Sequence, residues 1–201
     1  MARVPLSKSQ LSKEKESLSS FRRYLPAIDL KRQQLMAERM RARQTLKEIE
    51  AKVATAIAEA GETMPMLADK RVDLNGLVKL GKVTLASQNV AGVRLPRIED
   101  IEIIRASYGL MVRPHWVENY VARMSEAIGL RIEAQIAKRR LALLEAAVVK
   151  VTQRVNLFDK VLIPQAQQNI RRINVYLGDA ERAAVVNAKI AKRKRETQGS
   201  A

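Results

Sequence analysis

The chain has 201 residues and a formal net charge of +16, with 3% aromatic residues and no cysteine. The low aromatic share argues against a compact enzyme core, and the missing cysteine excludes disulfide and thiolate chemistry and favours a reducing compartment. No apolar run reaches the roughly 20 residues that span a bilayer, and residues 1–20 lack the apolar stretch of a secretory signal. We therefore expect a cytoplasmic protein without a direct membrane span.

The positive charge is concentrated in the two terminal segments. Lysine and arginine outnumber aspartate and glutamate by 13 to 7 over residues 1–60, by 8 to 6 over 61–117 and by 16 to 8 over 118–201. A basic helical surface suits an acidic groove, an acidic sleeve or a polyanion. A solvated helix surface would explain the same charge, so the charge alone does not select a partner.

The first terminal segment has the apolar pattern of a coiled coil. Residues 1–8 are predicted to be a flexible arm, and residues 9–60 are predicted to be a helix. Within this helix, apolar residues recur at alternating spacings of three and four, which is typical of a seam between two helices. The principal seam residues of this segment are Leu18, Leu25, Ile28, Leu35, Leu46, Ile49 and Val53.

Local signals predict where this helix begins, bends and ends. Ser9 or Ser12 could cap its first turn. Pro26 removes one backbone hydrogen bond inside the seam segment and therefore predicts a bend. Gly61 and Pro65 together predict the end of the helix.

The middle segment, residues 61–117, loses the helical period and is predicted to be a small head. We expect a short helix over residues 66–80, followed by a β-hairpin. Strands are predicted at residues 83–86, 88–90 and 102–105, where short apolar runs stand between turn-forming residues.

No catalytic, cofactor or metal site is predicted. The run from Gly76 to Val83 nearly spells a phosphate-binding P-loop, but Val83 stands where a serine or threonine hydroxyl must reach magnesium. His115 is the only histidine, so zinc, haem and histidine-based catalysis lack ligands. Trp116, at the entry to the second long helix, is predicted to anchor the head against the helices.

A second coiled-coil helix is predicted over residues 118–195, followed by a frayed tail at 196–201. Pro164 is expected to interrupt it. The apolar positions beyond Phe158 advance in three successive steps of four, a stutter that locally unwinds a left-handed coiled coil. The principal seam residues of this segment are Leu141, Leu144, Val148, Val151, Val155, Phe158 and Leu162.

The two apolar seams together predict the fold. A seam maintained over several heptads needs a partner helix along its length, and the nearest partner is the other end of the same chain. We therefore predict a mainly α fold, in which the N- and C-terminal segments form a long antiparallel left-handed two-helix coiled coil. A small head with a short helix and a β-hairpin joins them.

Four segments carry a family resemblance. Arg-Val-Asn-Leu-Phe-Asp-Lys-Val-Leu-Ile-Pro at residues 154–164 and Asn-Ile-Arg-Arg-Ile-Asn-Val-Tyr-Leu at 169–177 resemble the D subunit of V-type and A-type rotary ATPases. Residues 88–96 resemble that family's Asn-Val-Gly-Val-Pro stretch, and Leu30-Lys-Arg32 with Leu35 resemble its Leu-Leu-Lys-x-Lys-Arg-x-x-Leu run. After Arg182 the chain departs from the family pattern.

The resemblance implies a non-catalytic central stalk, peripheral to the membrane. Such a rotor transmits torque between a catalytic A3B3 ring and the membrane rotor, and so couples ATP hydrolysis or synthesis to proton or sodium transport. Its expected partners are the A and B subunits, the small F subunit of the stalk and the C/d subunit of the membrane rotor. The basic exterior positions expected to face the ring are Arg22, Arg23, Arg171, Arg172, Lys189 and Lys192.

Two other functions fit a basic coiled coil, namely nucleic-acid binding and a role as a scaffold. The basic residues are spread along both helices and do not form a fork beside a zipper, and the chain has no set of aromatic residues for base stacking. A scaffold coil would pair with a second copy, whereas the predicted helices pair within one molecule.

Arg32 and Arg39 occupy seam positions, where we expect them to extend outward to solvent and to loosen the seam locally, and we further predict that they fix the register against residues 165–172. Replacing both with leucine should shift the pairing of the helices, because leucine packs at several registers. Spin labels on cysteines introduced near residues 25 and 170 would measure the distance, since the natural chain has no cysteine. An unchanged distance distribution would remove the register role.

Overall fold

A computed structural model describes residues 5–68, 72–107, 109 and 113–198. It is mainly helical, with long helices from both ends of the chain and one antiparallel β-hairpin between them, which confirms the predicted fold class. The elements are helix α1 (Lys8–Thr63), a 3-10 turn (Pro65–Ala68), strands β1 (Val78–Val90) and β2 (Val93–Arg105), helix α2 (Trp116–Leu157), a π-helical turn (Phe158–Leu162) and helix α3 (Ile163–Gln198).

Packing divides the chain into two compact units. The terminal unit combines the residues up to Lys31 with those from Val151 onward, and the central unit is Arg32–Lys150. Each unit therefore contains a piece of α1 together with a piece of the helices from the C-terminal half. The central unit also contains the hairpin.

Helix α1 begins one residue earlier than predicted, with Ser7 as its cap. The Ser7 Oγ accepts a hydrogen bond of 3.2 Å from the backbone N–H of Gln10, and the Ser7 carbonyl accepts one of 3.0 Å from Leu11. A side-chain acceptor three residues before its donor is the usual serine cap. The prediction of Ser9 or Ser12 as the cap is therefore wrong.

Of the predicted helix breakers, Pro65 ends α1 as predicted and Gly61 does not, while the bend at Pro26 stays a prediction. Pro26 lies inside the continuous 56-residue helix. Pro26 has no N–H to donate to the backbone carbonyl four residues earlier. Its side chain is exposed, so a water molecule can donate to that carbonyl instead. The helix also runs past Gly61, because Met64 still donates to the Ala60 carbonyl at 3.1 Å. Pro65 ends it, since the residue before a proline avoids the α conformation.

The helix predicted over residues 66–80 is wrong wherever the structure describes this segment. Only the four-residue 3-10 turn occurs there, residues 69–71 lie outside the described part, and β1 already begins at Val78. The Asp73 carboxylate accepts a 2.9 Å hydrogen bond from the Asn75 N–H, a local turn that competes with a helix. Ala106 then donates to the Leu77 carbonyl at 2.8 Å.

The hairpin closes through a two-residue turn. Val90 pairs with Val93, which leaves Ala91 and Gly92 as the connection. Their φ angles are 47° and 80°, and this left-handed pair fits the right-handed twist of the strands. The antiparallel pairing extends from this turn to Val78 opposite Arg105.

The hairpin lies along α2 within the central unit. At its base, Leu77 packs with Val117 and Val121 in one buried cluster, against which Trp116 also packs. Farther along, the Arg140 guanidinium donates to the Pro96 carbonyl at 3.0 Å and to the Gln88 side chain at 3.3 Å. These two attachments span about 36 Å of strand and about 35 Å of helix, so the lengths match.

The placement of the helical core can be tested at Leu144. Its neighbour Leu143 is the matched control, because it has the same side chain in an exposed position. Leu144 is 1% exposed and Leu143 is 38% exposed. We expect Leu144→Ala to lower the free energy of unfolding by about 2–5 kcal/mol, since it leaves a cavity in the core. Urea unfolding followed by circular dichroism measures this value. An equal loss from Leu143→Ala would contradict the placement of the core.

Candidate functional surface on the paired terminal helices

The predicted seam positions lie on the covered sides of their helices. Among the 14 principal seam residues, Leu35, Leu46, Leu144, Val148, Val151 and Val155 are buried, and the other eight are half-buried. Beyond the π turn, Ala166 and Ile173 are also buried. Covered positions at these spacings are what a helix needs when a second helix packs along one stripe.

In the terminal unit, two contacts show that the chain ends pair in antiparallel directions. The rings of Phe21 and Phe158 meet edge to face, with centroids 5.5 Å apart and planes at 88°. Earlier in α1, Lys8 Nζ lies 3.7 Å from Glu181 Oε1. As the first residue number falls from 21 to 8, its partner's rises from 158 to 181, which is the antiparallel sense.

The central unit repeats this arrangement. Lys138 Nζ lies 3.0 Å from Glu50 Oε1, and Arg123 Nη1 lies 3.6 Å from Glu59 Oε2. These pairs again run in opposite directions along α1 and α2. Because their side chains are largely solvated, each contributes roughly 0–1 kcal/mol, and they select the register of the helices more than they hold them together.

The predicted stutter coincides with a change in backbone geometry. The Ile163 N–H donates to the Phe158 carbonyl, five residues back, as in a π-helix. Pro164 follows directly and has no N–H for the turn before it, which favours the wider geometry. The predicted interruption at Pro164 therefore takes the form of a change in helical hydrogen bonding directly before the proline, and not of a break in the helix. The helix passes from α2 to α3 through one π turn, while Leu162, Ala166 and Ile170 stay covered.

The basic residues expected to face a ring all lie on exposed surface. The Arg23 guanidinium stacks 5.4 Å from the ring centroid of Tyr24, a cation–π contact that orients it along the helix. Every residue from 179 to 195 is exposed, including Val185, Val186 and Ile190. The six predicted ring-facing residues, all of them exposed, are Arg22, Arg23, Arg171, Arg172, Lys189 and Lys192.

The structure assigns other roles to the residues that resembled a nucleotide site. Gly81 and Lys82 lie inside β1 and not in a loop before a helix. A Cβ on Gly81 would lie 3.1 Å from the Glu102 carbonyl oxygen, so glycine allows the close approach of the strands. Among the described residues, no group of three acidic, histidine or cysteine side chains could hold a metal ion, and no helix could cross a membrane.

Comparison with known proteins places this arrangement in a family. The family model for the D subunit of ATP synthase matches residues 10–193. The chain belongs to the ATP synthase D-subunit family. It is 35% identical to the V-type ATP synthase D subunit of Borreliella burgdorferi, over 96% of this chain and 95% of that protein. The V-type ATP synthase D subunits of Chlamydia abortus and Chlamydia muridarum are 32% and 29% identical, each over 96% of this chain and 94% and 96% of theirs.

Sequence reasoning missed a groove in the central unit of this D-family chain, between α1 and α2. It has a volume of about 940 Å³. Small seam residues, among them Ala56, Ala127 and Ala134, leave the space between the helices unfilled. Alanine at seam positions was the available signal, but alanine also permits close packing. The lining residues are Glu50, Val53, Ala56, Ile57, Met124, Ala127, Ile128, Arg131, Ala134, Gln135 and Lys138.

A double-mutant cycle tests the aromatic contact of this D-family chain. Phe21→Ala and Phe158→Ala should each destabilise the protein, and their effects should be coupled by about 0.5–1.5 kcal/mol, because edge-to-face pairs contribute beyond the area that they bury. Urea unfolding of the two single variants and the double variant measures the coupling. Phe21→Ala combined with Leu144→Ala is the additive control, and additivity in both pairs would contradict the contact.

Proposed function

We propose that this chain is the central rotor shaft of a V/A-type ATPase. It would transmit torque between the catalytic A3B3 ring and the membrane ion-translocating rotor, and so couple ATP hydrolysis or synthesis to proton or sodium transport. The observation that carries this proposal is the lengthwise antiparallel pairing, within each unit, of α1 with the helices of the C-terminal half, as at Lys8 with Glu181 in the terminal unit and at Glu59 with Arg123 in the central unit.

Paired helices suit a component under torsion. Side chains that interdigitate along a seam resist sliding of one helix against the other, because close-packed interiors deform little. A shaft also needs an asymmetric outer surface, so that each rotational setting favours a different state of the ring through different contacts. The hairpin on α2 supplies such asymmetry within the central unit.

The surface chemistry agrees with this role. The exposed arginines and lysines of α1 and α3 can contact a ring through solvated interactions that form and break without large barriers. Torque transmission needs no nucleophile or bound metal, so we assign the chain no catalytic role. We further propose that the small F subunit and the membrane rotor's C/d subunit bind this stalk, which places the chain at the periphery of the membrane.

We retain the predicted organisation as part of this proposal. Residues 9–60 and 118–195 would form the shaft, and residues 61–117 would form the head region beside it. Of the predicted arm and tail, residues 1–4 and 199–201 lie outside the described residues, whereas Lys8 belongs to α1 and residues 196–198 belong to α3. The left-handed sense of the coil belongs to the same proposal and follows from the heptad spacing.

A tagged copy of the chain tests the proposal in its native complex. We expect it to co-purify with the catalytic ring at about one copy per ring, together with the F subunit. Leu144→Asp should break the seam and lower the number of ions transported per ATP hydrolysed, because a charge in the core separates the helices. The exposed neighbour substituted as Leu143→Asp should retain coupling. Recovery of nucleic acid without ring subunits would overturn the assignment.

A further inference from the structure

We propose that the outward face of the hairpin binds an amphipathic helix of another subunit, and that this helix presents a carboxylate to Arg94. The proposal rests on the shaft function and adds a docking surface to it. The centre of that surface is an apolar row of six aliphatic side chains in three cross-strand pairs, which are Leu80 with Ile103, Val83 with Ile101 and Leu85 with Ile98.

The pairing of the strands places the apolar row on one face. Cross-strand partners point to the same side of a sheet, and so do residues two apart on one strand. Ile101 and Ile103 are two apart on β2, which joins the first pair to the second. Val83 and Leu85 are two apart on β1, which joins the second pair to the third. The row is therefore continuous across both register shifts of the hairpin.

The distal half of the hairpin meets α2 with its other face. Gln88, whose side chain binds Arg140, pairs with Leu95, which is 1% exposed. Gln88 lies three residues beyond Leu85 with regular pairing between them, so its side chain is on the face opposite the apolar row. No member of the row is buried, and Leu80 and Leu85 are 43% and 46% exposed. The row thus points away from α2 in this half of the hairpin.

The dimensions of the apolar row fit one helix. Two strands about 4.8 Å apart form a strip about 10 Å wide, which is the diameter of a helix. On β2 the row runs from Ile98 to Ile103, which is about 17 Å at 3.4 Å per residue. A helix of about 11 residues, or three turns, has the same length. Apolar residues at spacings of three and four on such a helix would cover the row.

The charge beside the apolar row selects an acidic partner. Arg94 and Arg105 are exposed on the same face, four and two residues beyond the ends of the row on β2. Among the described residues, no carboxylate forms an ion pair with either arginine. The hairpin's own carboxylates each adjoin a row residue on β2 and therefore point to the other face; they are Glu99, Asp100 and Glu102. The outward face is thus positive at both ends.

A second copy of this chain would not complement the outward face. Two such faces packed together in either direction would bring arginine against arginine, because both ends of the apolar row carry the same charge. The formal net charge of +16 adds to the repulsion between copies. A separate acidic helix removes both costs.

Photo-crosslinking in the purified complex tests the proposal. p-Benzoylphenylalanine replaces Leu85 or Leu80 in the apolar row and, as a control, Arg97 on the opposite face. We expect the probes at residues 85 and 80 to cross-link to one segment of another subunit. Mass spectrometry should show apolar residues at helical spacing and an aspartate or glutamate in that segment. The probe at residue 97 should not reach it.

Charge reversal tests the role of Arg94. Arg94→Glu should lower the cross-link from residue 85 about tenfold, which corresponds to about 1.4 kcal/mol, because it turns an attraction into a repulsion. Arg97→Glu makes the same change in charge on the opposite face and should alter the yield less than about twofold. Both arginines are exposed, and melting temperatures equal to that of the natural chain would show that the variants fold.

The outcomes separate the two proposals. Ring subunits that co-purify without a cross-link at residues 85 and 80, or with a cross-link to a second copy of this chain, would overturn the hairpin proposal and leave the shaft proposal standing. Equal yields from Arg94→Glu and the natural chain would also overturn it. Absence of ring subunits from the purified material would contradict the shaft proposal, and the hairpin proposal would fail with it.

Discussion

The structure depends on covering one apolar stripe on each long helix. In water such a stripe on an isolated helix would remain exposed, and burial of a single leucine or isoleucine side chain is worth about 1.5–3 kcal/mol. Leu35, Leu144 and Ile173 are almost fully buried at separate points along these stripes. The solvated ion pairs between the helices contribute far less. Apolar burial therefore holds the helices together, and charge selects which residues meet.

The packing of the seam between the helices is not uniform along their length. Close packing resists shear where side chains fill the seam, as at Leu144, whereas the alanines at positions 56, 127 and 134 leave space. The same pair of helices thus has a section in which side chains fill the seam and a section in which alanines leave a groove. The two sections differ because the side chains at equivalent seam positions of the heptad repeat differ in volume.

Sequence predicted the covered stripes because heptad spacing is local and can be read without coordinates. It failed at the first helix cap, where three serines within six residues compete and geometry selects Ser7. It also failed at residues 66–80, because a short apolar run fits a helix or a strand until its partner is known. The groove and the Arg140 contact depend on residues more than 40 positions apart, and no local pattern encodes such distances.

The π turn at Phe158–Leu162 has a consequence for how such a chain can change its length. It holds about one residue more than an α-helical turn, and therefore adjusts the rotational phase of everything that follows. Elsewhere in the helix, loss of one residue would rotate all later positions by about 100° and expose the buried stripe. At this turn, reversion to α geometry would absorb the loss locally, which makes it a natural point of tolerance to the deletion of one residue during evolution.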